Sequence, residues 1–201
     1  MNKIHISQNQ FSDLINLVNG VFLPINNFVS KKEFIQIIDN QKYKNHFFPF
    51  PITFGVNKEI YSKIKKKKTF NIYYNKKYLM NAYNVSFYNI DKKKIYQKIY
   101  GVNYFKHPYY KKFINENYKF INFDYQKINR INLRHKYFFS PLSFKKTLEQ
   151  ERITTLSSFH TRNVPHKAHQ WIHNFLFKKF EALLIQPLIG QYKKGEYSDA
   201  L

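Results

Sequence analysis

The amino-acid sequence predicts an α/β protein in two parts, an α+β part over residues 1–145 and a strand–helix–strand unit over residues 146–201. Short runs of alternating apolar residues, separated by polar turns, occupy residues 49–100 and predict a small β-barrel. After Pro165 the apolar residues recur at helical spacing, and an apolar run stands on each side of that helix. Strand, helix and strand in this order are typical of a βαβ unit in an open α/β fold.

The α+β part begins with two predicted helices. Ser12 can cap a short helix through Val18, and the Asn-Gly pair that follows ends it because both residues tolerate a positive φ. Ser30 can cap a second helix over residues 31–39. We interpret this segment as a packed helix–loop–helix.

The strands and a third helix follow in order. Residues 49–56 predict a strand because their apolar side chains alternate. Residues 69–83 predict a hairpin with a polar Asn-Lys-Lys turn, and the sheet continues over residues 85–90. Residues 92–100 predict a helix that Gly101 ends.

The composition excludes several kinds of protein. The chain has no cysteine, which rules out disulfides and cysteine-ligated zinc, and 43% of its residues are hydrophobic, enough to bury a core. It has no run of about 18 apolar residues, so no transmembrane helix is predicted. The first ten residues lack an apolar signal core, and a cytoplasmic location is the simplest expectation.

The net charge of +22 has two interpretations. It can indicate nucleic-acid or membrane binding, or it can reflect compositional drift, because the abundant Lys, Asn, Ile, Tyr and Phe all have AT-rich codons. The lysines are spread along the chain with one short run at residues 65–68, which favours drift. Residues 109–139 interleave aromatic and basic side chains, which we interpret as strands with one buried face rather than a surface for single-stranded bases. We therefore predict neither a nucleic-acid nor a membrane partner, and an anionic substrate is compatible with this positive field.

The clearest functional pattern is the segment SFHTRNVPHKAH at residues 158–169, called the motif below. It lies on a predicted strand-to-helix turn, between an apolar run at residues 153–159 and a helix over residues 170–180. Pro165 marks the helix start. In α/β folds such turns bind anions, because free backbone N–H groups and the positive end of the helix dipole meet there.

Four side chains of the motif suit a polyanionic substrate. Arg162 and Asn163 lie in the predicted loop, and His166 and His169, three residues apart, share one helix face. His173 extends the histidine series, so a histidine metal site is conceivable. Arg162 would repel a cation and the motif has no carboxylate, so we predict no protein-bound metal and interpret His173 as a solvated or packed helix residue.

At these residues the sequence resembles ATP sulfurylase (sulfate adenylyltransferase). That family has a Gln-Thr-Arg-Asn-Pro-x-His-x-x-His stretch, and this chain reads His-Thr-Arg-Asn-Val-Pro-His-Lys-Ala-His from His160 to His169. The second half is the HxxH form of the HxGH signature of adenylyl-transferring Rossmann-like enzymes. His160 stands in place of the family's Gln, and Val164 stands in place of its first Pro.

Three further segments carry the same resemblance in the same order. Near the start, four residues match the family's Gly-x-Phe-x-Pro-Leu-x-Gly-Phe-Met, namely Gly20, Phe22, Pro24 and Phe28. Before the motif, four residues match Tyr-Gly-Thr-x-Asp-x-x-His-Pro, namely Tyr100, Gly101, His107 and Pro108. After the motif, residues 187–196 resemble His-Pro-Leu-Val-Gly-x-x-Lys-x-Gly-Asp, with Gln186 in place of its His.

The resemblance implies a PUA-like β-barrel domain over residues 1–145 and, over residues 146–201, the first βαβ unit of a Rossmann-like nucleotidyltransferase domain. It implies adenylyl transfer, in which ATP and sulfate give adenosine 5′-phosphosulfate and pyrophosphate. Mg²⁺ would arrive on ATP. The direction of the pathway and a homo-oligomeric state stay open.

The resemblance also assigns roles to single residues. Arg162 would hold sulfate with its two-pronged guanidinium, and Asn163 would hydrogen-bond a phosphate. His166 and His169 would contact the triphosphate and stabilise charge on the leaving group. The implied catalytic residues are Arg162, Asn163, His166 and His169. The implied substrate-binding residues are His160, Thr161, Arg162, Asn163 and Gly190.

Two other functions stay open at this stage. The chain can be an RNA-binding PUA-like protein, or it can be a non-catalytic structural subunit. Members of the resembled family continue for well over a hundred residues past the matched region. We therefore expect this chain to be a truncated piece or a degenerate remnant of such an enzyme, with little activity on its own.

Overall fold

The computed structural model describes residues 3–116, 118–126 and 139–187. It divides into two compact units, Met1–Pro141 and Leu142–Leu201. The domain boundary that the sequence places at residue 145 stays a prediction. Within the described ranges, no helix is both long enough and apolar enough to cross a membrane.

Short strands and helices alternate in the described part of the first unit. Its strands are β1 (Lys3–His5), β2 (Lys42–Tyr43), β3 (His46–Phe47), β4 (Phe54–Val56), β5 (Phe70–Tyr74), β6 (Lys77–Tyr88) and β7 (Lys119–Tyr125). Its helices are α1 (Gln8–Val18), α2 (Lys31–Asn40), α3 (Lys58–Ile64), α4 (Lys92–Tyr100) and α5 (Tyr110–Asn115), with a 3-10 turn at Tyr104–Lys106.

Five of these strands form one sheet in the order β1-β5-β6-β7-β4, while β2 and β3 pair separately. β1 runs parallel to β5, and the other neighbours are antiparallel. The sheet curls into a half-barrel, which confirms the predicted α+β architecture. The side-chain amide nitrogen of Gln10 donates to the carbonyl oxygen of Gly55 at 2.7 Å, so the start of α1 is bonded to strand β4.

Aromatic rings form the centre of the first unit. Phe54 lies edge-on to Phe28 at 5.0 Å and to Phe123 at 5.3 Å between ring centroids, and Phe70 contacts Phe123 at 5.6 Å. All four rings are buried. Each contributes roughly 1.5–3 kcal/mol by leaving water, so this cluster is a principal source of the unit's stability.

The helix caps confirm one predicted start and correct the other. Ser30 caps α2, its hydroxyl accepting from the backbone of Glu33, as the sequence predicts. The first helix begins five residues before the predicted position, because Ser7 and Gln10 form a reciprocal capping box. Ser12 therefore lies inside α1 rather than at its cap.

The predicted strand over residues 49–56 is shorter in the structure, where only Phe54–Val56 pairs. Pro49 and Pro51 have no N–H to donate to a ladder, which accounts for the shortening. The hairpin is confirmed: its turn residues Asn75 and Lys76 have φ of 46° and 63°, in the left-handed region. The predicted helix before Gly101 is also confirmed, and Gly101 has φ of 72°.

The second unit begins one residue into α6 (Pro141–Gln150), and its described part continues with β8 (Leu156–Thr161), α7 (Lys167–Phe177) and β9 (Ala182–Pro187). Strands β8 and β9 are parallel neighbours joined through α7, which confirms the predicted βαβ unit. The carboxylate of Glu181 accepts hydrogen bonds from the backbone N–H groups of Thr154, at 2.6 Å, and Thr155, at 3.1 Å. This clasp holds together the segments that lead into the two strands.

The bounds of the motif's strand and helix differ from the predicted ones. The strand begins three residues later than residue 153, because the N–H groups of Thr154 and Thr155 are bonded to Glu181 instead of a neighbouring strand. The helix begins and ends three residues earlier than residues 170–180. It ends where the N–H groups of Lys179 and Phe180 both turn back to the carbonyl oxygen of Leu176.

Candidate functional site

The motif begins within β8 and continues beyond the carboxyl end of the β8–β9 pair. The two strands are in register from Leu156 opposite Ala182 to Thr161 opposite Pro187, so they end at the same edge. The chain then passes through a loop into α7. Ligands of open α/β sheets bind at this edge, where a helix N-terminus meets the strand ends.

Thr161 shapes the loop. Its side chain is buried, with 8% of its surface exposed, and its hydroxyl accepts the N–H of Asn163 at 3.0 Å and donates to the carbonyl oxygen of Asn163 at 3.2 Å. Arg162 lies between these two residues, and both Arg162 and Asn163 are exposed. The tight turn therefore presents the arginine and the asparagine to solvent from a fixed backbone.

His166 and His169 are in direct contact at the start of α7. Their rings stack with centroids 3.9 Å apart, and Nδ1 of His169 accepts the backbone N–H of His166 at 3.3 Å. His166 is the N-cap and not part of the helix, so the prediction that both histidines lie on one helix face is corrected in this detail. The predicted proximity of the two rings is observed.

The same contacts define the protonation of His169. Desolvation, reinforced by positive charge on His166 and His173, lowers the pKa of His169 below its ordinary value of 6.5. A neutral ring whose Nδ1 accepts a backbone hydrogen bond carries its proton on Nε2. His169 is thus neutral near pH 7 and donates a hydrogen bond from Nε2. Such a donor suits an oxygen that is already negatively charged, because no proton has to be removed from that oxygen.

The ring of Phe159 on β8 packs against α7 at His169 and at His173, one turn further along the helix. Its ring centroid lies 5.2 Å from that of His169 and 4.8 Å from that of His173. The Nε2 atom of His173 is buried and has no hydrogen-bond partner among the described residues. His173 is therefore a packed residue, one of the two interpretations left open by the sequence.

His160 lies on the other face of the strand. Residues alternate along β8, with Ser157 and Thr161 buried and Ser158 and His160 exposed. His160 is the register partner of Gln186, whose side-chain oxygen accepts the hydroxyl of Ser158 at 2.8 Å. The structure thus groups His160 with Gln186 rather than with the histidine pair.

The edge is positively charged. The first turn of α7 contains Lys167, which is exposed, and no acidic residue. Lys167 and Gln186 also lie at this edge, although the sequence alone assigned neither of them a role in binding. The helix start after Pro165 was the signal for Lys167. No group of three His, Cys, Asp or Glu side chains able to hold a metal ion occurs in the described ranges. Gly190, which the resemblance makes a substrate-binding residue, lies outside the described residues.

Comparison with known proteins connects this site to a family. Residues 1–124 match the PUA-like domain family, and residues 135–201, which include the motif, match the ATP-sulfurylase family. The sulfate adenylyltransferase of Staphylothermus marinus is 24% identical over 203 residues, which cover 98% of this chain and 52% of that protein. That of Pyrococcus abyssi is 22% identical over 200 residues, with the same coverage of 98% and 52%. The chain thus spans about half the length of these relatives.

A shorter and more similar match is the sulfate adenylyltransferase of Entamoeba histolytica, 35% identical over 75 residues, which cover 37% of this chain and 18% of that protein. Among solved structures, the hexameric APS kinase from Thiobacillus denitrificans aligns with a TM-score of 0.65 over 98% of this chain and 36% of that chain. Its sequence identity is 13%, so this likeness shows the fold alone. The chain therefore belongs to the PUA-like domain family, and its residues 135–201 match the ATP-sulfurylase family, a nucleotidyltransferase family, which confirms the resemblance found in the motif.

Proposed function

We propose that this chain supplies the substrate-binding motif of a sulfate adenylyltransferase, which converts ATP and sulfate into adenosine 5′-phosphosulfate and pyrophosphate. The observation that carries the proposal is the stacked pair of His166 and His169 at the start of α7, beside the exposed Arg162–Asn163 turn. Relatives named sulfate adenylyltransferase match almost the whole chain and support the same reaction.

The proposed reaction is an in-line displacement. An oxygen of sulfate forms a bond to the α-phosphorus of ATP, the bond from that phosphorus to the bridging oxygen breaks, and pyrophosphate leaves with the electron pair. Sulfate is already an anion, so no general base is required. Catalysis then depends on positioning and on neutralising charge.

The residues of the motif have distinct roles in this proposal. The guanidinium of Arg162 binds sulfate through two parallel hydrogen bonds, and Asn163 bonds a phosphate oxygen. His169 donates from Nε2 to the triphosphate, and His166 adds a second imidazole beside it. Thr161 acts by holding the turn, because its hydroxyl is already bonded to Asn163.

Three residues and the metal complete the proposal. His160, on the other face of β8, and Gly190 contact the substrates at the edge of the site, and Mg²⁺ is carried by ATP rather than by a protein site. Lys167 adds positive charge at the helix start, where the dipole already favours an anion. A cytoplasmic location and a homo-oligomeric state are parts of the same proposal.

The reaction is tested on residues 1–201 joined to the remaining half of the Staphylothermus marinus relative. Sulfate-dependent pyrophosphate release is measured for the joined protein and for Arg162→Ala, Arg162→Lys and His46→Ala. We expect Arg162→Ala to lower the rate by about 10²-fold or more, as for other single charge-stabilising donors. Arg162→Lys should stay poor, because an ammonium cannot form the two-pronged contact.

His46→Ala is the matched control, since His46 is exposed on β3 in the first unit, and it should leave the rate unchanged. Calorimetric titration of the 201-residue chain with Mg·ATP gives a second readout that needs no turnover. An Arg162→Ala protein with an unchanged rate of sulfate-dependent release would overturn the assignment of the site.

A further inference from the structure

Two aromatic rings are exposed side by side on the outer face of α7. Trp171 and Phe175 lie four residues apart, and their rings stack with centroids 5.9 Å apart and planes 11° apart. Trp171 is 69% exposed and Phe175 is 45% exposed. Neither residue has a role in the proposed reaction.

Exposed lysines continue this face at both ends. Lys167 precedes Trp171 by four residues, and Lys179, just beyond the helix, follows Phe175 by four. The Nζ atom of Lys179 lies 4.6 Å from the centre of the Phe175 ring. Side chains four residues apart are neighbours on a helix, so these four residues form one line, called the outer row.

The positive charge of the outer row is not balanced within the helix. α7 contains no Asp or Glu. In the described part of the chain, no carboxylate pairs with Lys167 or Lys179 within 4 Å. Glu181, the acidic residue that follows soonest after the helix, is bound by the N–H groups of Thr154 and Thr155. The surface that complements the outer row is therefore apolar at its centre and acidic at its ends.

The opposite face of α7 packs against the strand pair. Its half-buried residues include His169 and His173, whose rings contact Phe159 of β8. The strand pair therefore leaves the outer row uncovered. Adjacent exposed aromatic rings, with Trp foremost, are typical of a surface that binds another protein element.

The described part of the second unit has no hydrophobic core of its own. Among its described residues only Ser157 and Thr161 are buried, whereas the buried apolar side chains of the described chain all lie between Ile4 and Phe123. An α/β unit normally buries apolar side chains between its layers. The second unit thus needs apolar surface from a segment other than those described.

The strand pair indicates which kind of segment this is. Within the described residues, β8 and β9 pair only with each other, and they are parallel. Parallel strands occur in sheets whose two faces are both covered, and two strands alone are only marginally stable. A further parallel strand requires a long crossover, usually an α-helix that packs on the sheet. An added strand therefore arrives with a helix that can lie against α7.

We propose that the outer row binds an amphipathic helix with carboxylates at the ends of its apolar stripe, contributed by an α/β segment that adds a parallel strand to β8 and β9. Trp171 and Phe175 pack into the apolar stripe, and Lys167 and Lys179 pair with the carboxylates. About half of each sulfate adenylyltransferase relative has no counterpart in this chain, and we assign the segment to that half.

Two other occupants fit the outer row less well. A second copy of α7, packed antiparallel, would bring Lys167 of one chain against Lys179 of the other, and each chain already has a net charge of +22. A membrane surface would be contacted by two stacked rings alone, because the opposite face of α7 packs on Phe159.

The test uses the joined protein described above, in which residues 1–201 are linked to the remaining half of the Staphylothermus marinus relative. Trp171 is the only tryptophan of the 201 residues, and phenylalanine replaces any tryptophan of the added half, so the fluorescence reports Trp171 alone. We expect its emission to lie at shorter wavelength than in the 201-residue chain. Its quenching by acrylamide should be weaker by about threefold or more, because the ring leaves water.

Phe175→Ser tests the apolar part of the outer row. In the joined protein it should return the quenching of Trp171 to about the value of the 201-residue chain and lower the melting temperature. In the 201-residue chain the same substitution should change the melting temperature far less, because Phe175 is exposed there. Phe47→Ser, at an even more exposed ring on β3, is the matched control and should change neither protein.

Lys179→Glu tests the charged part. It should expose Trp171 to acrylamide in the joined protein, more strongly at low salt than at high salt, because the helix that we propose carries carboxylates there. Lys94→Glu makes the same change of charge at an exposed residue of α4 and should leave the quenching unchanged.

Four outcomes would overturn the proposal. Equal quenching of Trp171 in the joined protein and the 201-residue chain would show that the added half leaves the outer row uncovered. Equal effects of Lys179→Glu and Lys94→Glu would exclude an acidic partner helix. Emission of the 201-residue chain that shifts as its own concentration rises would assign the row to a second copy, and a shift produced only by phosphatidylserine vesicles would assign it to a membrane.

The inference rests on the proposed function for the identity of the partner, and its readout needs no turnover. A protected Trp171 in a joined protein that releases no pyrophosphate would support the inference and contradict the proposed reaction. An unprotected Trp171 in a joined protein that does release pyrophosphate would contradict the inference and leave the proposed reaction standing.

Discussion

His160 on β8 and Gln186 on β9 lie directly opposite each other in the parallel strand pair. In the ATP-sulfurylase motifs that this chain resembles, the first of these positions is Gln and the second is His. The chain thus keeps the same two side-chain types with their positions exchanged. Taken alone, each of these two replacements is typical of a family motif that has degenerated. From this register we expect the two departures to be one compensated change rather than two independent losses.

The exchange predicts a non-additive pair of mutations. In the joined protein described above, His160→Gln and Gln186→His should each lower sulfate-dependent pyrophosphate release about tenfold, because each leaves two like side chains facing one another. The double variant should recover to within about threefold of the starting rate. Neighbouring residues on adjacent strands couple in this way, whereas distant ones add.

Ser158→Ala is the control for that cycle. It removes the hydrogen bond from the Ser158 hydroxyl to Gln186 and leaves the exchanged pair in place. The rate should fall by less than threefold. If the losses of the two single variants simply add in the double variant, His160 and Gln186 are independent and the compensation is refuted.

A second prediction concerns the protonation of His169. Its pKa lies below 6.5, first because of desolvation and then because of charge on His166 and His173. A lowered pKa means that the ring binds its proton only at more acidic pH, so it stays a neutral donor through the neutral range. Histidine ring-proton NMR of the 201-residue chain should show this directly.

The variant His166→Asn tests the origin of that shift. It removes the neighbouring charge of His166, so the pKa of His169 should rise toward its ordinary value of 6.5. A ring of His169 that titrates identically in both proteins would show that the stacked contact between the two histidines does not affect its protonation.

The local sequence was sufficient to predict those elements whose ends are marked by a cap or a turn. Ser30 predicted the start of α2, and Gly101 predicted the end of α4, because each signal acts within a few residues. The parallel pairing of the two apolar runs around the motif was also predictable from their order. The motif itself predicted that His166 and His169 would meet.

Long-range contacts were not predictable from the sequence. The start of β8 depends on Glu181, which lies 27 residues from Thr154 and takes its N–H group. The face on which His160 lies depends on Phe159 packing against α7. No pattern of neighbouring residues in the sequence predicts these long-range contacts.

A third prediction concerns His173, which the sequence alone left as a solvated or packed helix residue. The structure shows the packed alternative, because its ring centroid lies 4.8 Å from that of Phe159 and its Nε2 is buried without a partner in the described residues. His173→Ala should destabilise the folded chain by about 1–2 kcal/mol through the cavity it leaves. The rate of the folded joined protein should change by less than threefold.

A leucine substitution at position 173 distinguishes the contribution of side-chain packing to stability from that of the polar ring nitrogen. His173→Leu refills the space and removes the unsatisfied nitrogen, so its stability should equal or exceed that of the starting protein. Thermal unfolding followed by circular dichroism measures both variants. If the leucine variant is as unstable as the alanine variant, the imidazole nitrogen makes a stabilising contact and the packing interpretation is wrong.

The last prediction concerns the clasp that Glu181 forms with Thr154 and Thr155. Hydrogen bonds from the two backbone N–H groups and the Thr154 hydroxyl lower the pKa of Glu181 below its ordinary value of 4.5. A carboxyl group with a lowered pKa in the folded state adds stability above its unfolded pKa, and that stability is lost as the pH falls through the folded value.

Glu181→Gln should therefore lower the melting temperature at pH 7 and make it less sensitive to acid between about pH 5 and pH 3. Glu149→Gln is the matched control, since Glu149 is exposed and forms a long surface ion pair with Lys145 at 3.9 Å, and it should leave the acid profile unchanged. Parallel acid profiles for Glu181→Gln and the unsubstituted chain would show that the clasp carries no charge-dependent stability, and that the segments leading into the two strands are held by other contacts.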